Sequence, residues 1–168
     1  MQCTRPALVP TVGLCVALAV TGCNPARHPA ARPATSSAGP GIRALAADYL
    51  AIARPANHRL DVEVRSYDKH ARGDLAAAAA ALRAQAATER HFDRQLAAIP
   101  FPPAIAATAQ ALIGVNEIRA RLTDQQAAAT SLAALLSFTG RHQAADAEVE
   151  AQVRVIRSEL GLPAPESS

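Results

Sequence analysis

The stretch GDLAAAAAALRAQAATERHFDRQLAAIPFPP, residues 73–103, carries its own start, period and stop. Gly73 followed by Asp74 pairs a helix-ending glycine with a residue whose carboxylate can accept from first-turn amides. Leu75, Ala78, Leu82, Ala86, Phe92, Leu96 and Ile99 then recur on a helical period and make one apolar stripe. The run Ala76–Ala81 reads as a place for close helix approach. Pro100, Pro102 and Pro103 force a turn, and Pro103 suits the first turn of a following helix. The stretch predicts a helix over 74–99, with a neighbour on each side.

Working outward, the same signals recur. Alanine supplies 42 of 168 residues and tryptophan none, which favours helices and leaves strand patterns essentially missing. A first helix is expected over 42–72, a third from Pro103 into the 120s or 130s, and a last one ending at Leu160, with Gly161 just past its end and Pro163 as a stop. Pro55 should kink the first helix or end it near Arg54. Either Ser131 or Gly140 starts the last helix. The expected fold is all-α, an antiparallel up-and-down four-helix bundle with short loops, or three long helices if the third element is broken.

The other stripes are Leu45, Tyr49, Ile52, Ala56, Leu60 and Tyr67; Ile105, Ala109, Leu112 and Val115; and Val149, Val153, Ile156 and Leu160. They are thin in large side chains, so the core should be narrow. Polar residues interrupt them. Glu89 falls near the centre of the second stripe, Glu63 on the first face with His70 beyond it, and Asn116 and Arg119 on or beside the third. A buried carboxylate is costly unless paired, and Arg119 is the obvious partner for Glu89 or Glu63. The five residues are a candidate interior cluster, either a structural salt bridge or a small-ligand or metal pocket.

No chemistry announces itself. The Glu-x-x-His spacing of di-iron bundles is missing, since Ser66 and Phe92 stand at the third position after Glu63 and Glu89. His58 with Asp61 and His142 with Asp146 have helical spacing of a kind common by chance. There is no haem-attachment motif, Gly-rich phosphate loop or Gly-x-Ser-x-Gly elbow. The expectation is a protein that is not an enzyme, with no metal and no cofactor.

At the N-terminus, Arg5 precedes an apolar run from Ala7 to Val20, too short to span a bilayer and of signal-peptide length. The run closes on Val20-Thr21-Gly22-Cys23, which resembles the lipobox of bacterial lipoproteins. The resemblance implies that residues 1–22 are removed and that Cys23 carries the lipid, with acyl chains of palmitate type. A plain secretory signal cut elsewhere is the alternative. Cys3 and Cys15 both fall in the removed segment, so the mature chain would have no internal disulfide, and two acyl chains give stable anchoring. Residues 23–41 are rich in Pro, Ala, Ser and Gly, the composition of a disordered tether. The bundle would follow at 42–161, with a tail at 162–168.

The net charge of +3 comes entirely from Arg5, Arg27 and Arg32; beyond residue 41 there are 14 basic and 14 acidic residues. A neutral domain has no field for nucleic acid. The two tether arginines could lie against anionic lipid or simply keep the spacer soluble.

YLAIARPANHRLD, residues 49–61, with IPFPPAIAATAQAL and IRSELGLPAP further on, is similar to recurring stretches of small exported helical lipoproteins of actinobacteria. That resemblance implies lineage and an address on the outer face of the cell membrane, and no activity. Two functions compete: a lipid-anchored envelope module that binds a protein or cell-wall partner, and a bundle that binds a small ligand or metal at the interior cluster. A closed, dry interior would favour the first; a cavity opening to solvent among those residues would favour the second.

Overall fold

A computed structural model describes residues 40–165, which lie within one compact unit, Ser36–Ser168. The expected signal segment, Cys23 and nearly all of the expected tether lie outside the described residues. Over the described residues the chain is all-α, with four long helices and one single-turn helix: α1 (Pro40–His70), α2 (Leu75–Ala97), α3 (Pro103–Ala127), α4 (Leu132–Leu136) and α5 (Thr139–Glu159). No helix among the described residues is long and apolar enough to cross a membrane.

The caps follow from the sequence. Asp74 accepts from the Ala77 amide at 2.9 Å and starts α2. Pro103 takes the first position of α3. At the far end Gly161 has φ 67°, and the amides of Gly161 and Leu162 bond to the carbonyls of Ser158 and Arg157 at 3.0 and 2.8 Å, the paired bonds of a Schellman motif. Beyond it the chain turns back: Arg157 Nε donates to the Pro163 carbonyl at 2.7 Å, and Leu162 packs on the core.

Two alternatives are decided. Of the two effects expected of Pro55, it does not end α1, which continues through it to His70. Proline removes the bond to the carbonyl four residues back, and here that residue, Ala51, is exposed, so water can satisfy it while buried Ala53 and Ala56 hold the flanking turn. The choice between Ser131 and Gly140 resolves into both regions. Ser131 caps the short α4, accepting from Ala134, and the chain then turns at Ser137 and Phe138 before α5 begins at Thr139.

Helix α2 packs between α1 and α3, and α3 packs between α2 and α5. All four stripes are interior. The core nevertheless divides in two. Tyr49, Leu96, Leu112, Val149, Ile156 and Leu160 anchor one cluster, with Tyr49 edge-on to Phe92 at 6.3 Å. Ala78, Ala79, Leu82, Ala127 and Leu135 form the other. Buried alanines from the Ala76–Ala81 run supply the second cluster, so it contributes little bulk.

Between the clusters lies a polar belt. On α2 the order is Leu82, Glu89, Leu96; on α3 it is Leu112, Asn116 and Arg119, Ala127. Glu89 is therefore about 10 Å along the helix from either apolar end. Thr88, Glu89, Asp93, Asn116, Thr123 and Gln126 are all buried.

Candidate functional site

The backbones of α1 and α5 stay apart, and the seam between them is where the belt meets solvent. At the first cluster Tyr49 and Ala53 of α1 and Val153 and Ile156 of α5 belong to one apolar core, which narrows the gap. Further along, α1 offers Val64 and Asp68 while α5 offers His142, Asp146 and Glu150, and no large apolar side chain fills the space. A cavity of about 500 Å³ results, open to solvent, floored by α2 and α3. A smaller one of about 100 Å³ continues the seam toward Tyr49 and Phe92. Leu60, Glu89 and Arg119 line both.

Arg119 organises the floor. Its Nη2 donates to Glu89 Oε1 at 2.9 Å and its Nη1 to Asp146 Oδ1 at 3.2 Å, tying α3 to α2 and α5. Glu89 is only 4% exposed. Burial pushes its carboxyl up to about 7; Arg119 opposes the rise, and Asp146 and Asp93 add to it. One helical turn on, Asp93 accepts from Asn116 Nδ2 at 2.8 Å. Burial raises Asp93 to about 6 against the pull of that bond. His142, on the seam wall, is lowered by burial, with Asp146 opposing and Arg119 and Arg141 reinforcing.

The belt leaves polar atoms unpaired. Glu89 Oε2, Arg119 Nε and His142 Nε2 are buried with no hydrogen-bond partner, and all three residues line the larger of the two seam cavities. Buried polar atoms are seldom left so. The floor thus holds an acceptor and a donor within one ion pair, each with capacity to spare.

Gln126 fixes the far end. Its Nε2 donates to the Leu135 carbonyl at 2.9 Å and to the Tyr67 hydroxyl at 3.0 Å, joining α3 to α4 and α1. On the outer face, Arg90 pairs with Glu117 and Asp124 at 3.0 and 2.8 Å and clamps α2 to α3.

Of the five candidate residues, Glu89 and Arg119 are in direct contact, and Asn116 lines the smaller cavity beside them. Glu63 stands apart on the flank of α1 that meets α2, where Thr88 Oγ1 donates to its Oε1 at 2.9 Å. His70 ends α1, and its carbonyl accepts the amides of Gly73 and Asp74 in the turn to α2. Neither lines the seam. Asp146, His142 and Asp93 complete the site instead. The stripe Val149, Val153, Ile156, Leu160 continues backwards through Asp146 and His142 at the same helical spacing, a signal that points to both residues. Among the described residues no group of three or more His, Cys, Asp or Glu could hold a metal ion.

The chain matches no protein-family model, and comparison with curated proteins and with solved structures gives no match.

Proposed function

We propose that this protein is a lipid-anchored, non-enzymatic binding module of the outer membrane face, and that it takes a small organic ligand in the α1–α5 seam. The observation that carries the reading is the cavity open to solvent at the Glu89–Arg119 pair, with an unpaired acceptor and donor in its floor. Its volume lies in the range of small-molecule sites, and apolar walls with a few convergent polar groups are what such sites present. The lipobox resemblance at Cys23 supports the address. No nucleophile paired with a base lines the seam, which supports binding over turnover.

Ligand-observed NMR of the full-length chain against a fragment set of amines, carboxylates, phenols and sugars tests the reading. Saturable binding by at least one class is expected, abolished by Val64→Trp, which places an indole at the cavity mouth from a half-exposed position. Failure of every class to bind, or binding indifferent to Val64→Trp, would count against it.

A further inference from the structure

Resting on the reading of the seam as a ligand site, we propose that its ligand is an organic cation, a protonated amine carrying an apolar body, whose ammonium group sits against Glu89 and Asp146. The charges around the cavity set the sign. Asp68, Glu89, Asp146 and Glu150 line it, and Arg119 is its one permanent cation among the described residues. Arg119 is already committed to two of those carboxylates. The cavity therefore carries an excess of negative charge that an incoming cation would balance, and a carboxylate ligand would meet it as a like charge.

The acidic lining is not the whole case. Glu89 is nine-tenths buried or more, and its Oε2 has no partner while its Oε1 is held by Arg119. An ammonium group brings three donors and no acceptor, so one could satisfy Oε2, once the Glu89 side chain turns this buried atom toward the cavity, while another reached Asp146. A charge-assisted bond of this kind is about twice as strong as a neutral one. Leu60, Val64 and Leu82 line the remaining wall and offer an apolar body a place to leave water. The spare donor at Arg119 Nε gives a hydroxyl or ether oxygen next to the amine a position as well.

Three probes with the same apolar body separate the possibilities: phenylbutylamine, phenylbutanol and phenylbutyrate, titrated calorimetrically into the full-length chain at about pH 8, where Glu89 is mostly ionised and the amine is still protonated. The amine is expected to bind at least about tenfold more tightly than the alcohol or the acid, the discrimination one charge-assisted bond supplies. Glu89→Gln and, separately, Asp146→Asn should each erase most of that preference. Asp146 is half exposed, so its variant keeps the test sound should Glu89→Gln fail to fold. If the alcohol or the acid binds as well as the amine, and Val64→Trp blocks it, the seam is a ligand site and the cation assignment is wrong. If none of the three binds and the fragment classes also fail, both readings fall.

Discussion

Arg119 donates from Nη2 to Oε1 of Glu89 at 2.9 Å, across the middle of a bundle whose apolar core is divided on either side of the pair. A guanidinium already shared with Asp146 does not fully compensate a carboxylate this deeply buried, and so Glu89 remains easy to protonate.

Stability should depend on pH through Glu89. Its folded pKa, about 7, is raised above the ordinary value of 4.5, so between those values the folded chain holds more protons than the unfolded one and stability falls as pH rises. Asp93, raised to about 6, adds a fall of the same sign at lower pH. The Glu89 contribution is of the order of 3 kcal/mol. Denaturant unfolding across this range should show the decline in the natural chain and a shallower one in Glu89→Gln.

Arg119→Met should destabilise by about 3 kcal/mol at about pH 8, where it strands a buried carboxylate. The loss should be smaller near pH 5, where Glu89 is neutral in either protein. A loss independent of pH would place the role of Arg119 in packing alone.

Gln126→Leu removes the donor to the Leu135 carbonyl and to Tyr67. A cost of about 1–3 kcal/mol is expected for the carbonyl left buried and unpaired. Hydrogen exchange should quicken in α4, which that bond helps hold to α3, and little in α2.

Gly161→Ala forces a side chain onto a backbone with φ 67° and should cost about 1 kcal/mol, measured by thermal unfolding. Fraying should be confined to the last turn of α5 and to Leu162.

Cys23→Ser should release the protein from the membrane or leave it unprocessed, read by fractionation and by mass. Unchanged fractionation of the variant with the membrane would remove the lipid anchor from the proposal.

The bundle was legible because its signals are local. Asp74, Pro103 and Gly161 act on the amides and carbonyls next to them, and period alone assigns the inner faces. Pro55 could be read two ways because its effect depends on whether the carbonyl of Ala51 is wet, which is a tertiary fact. The site was half legible for a related reason. Glu89 and Arg119 declare themselves as charges within apolar stripes, whereas Glu63 sits close enough to its stripe that only the position of α2 shows it belongs to the flank. Asp146 and His142 extend a stripe whose polar end contains nothing large and apolar. That deficit keeps α1 and α5 apart and makes the cavity, and it emerges only when both helices are seen facing each other.

The most direct measurement is an NMR titration of the full-length chain with phenylbutylamine, following the Arg119 Nε–H signal and the carboxyl signals of Glu89 and Asp146. Saturating shifts should appear at these three residues and along the facing sides of α1 and α5, with Ile118 on the outer face unmoved. Binding that leaves the Glu89 and Arg119 signals in place, or that shifts Ile118 and its neighbours instead, would contradict a ligand site in the seam.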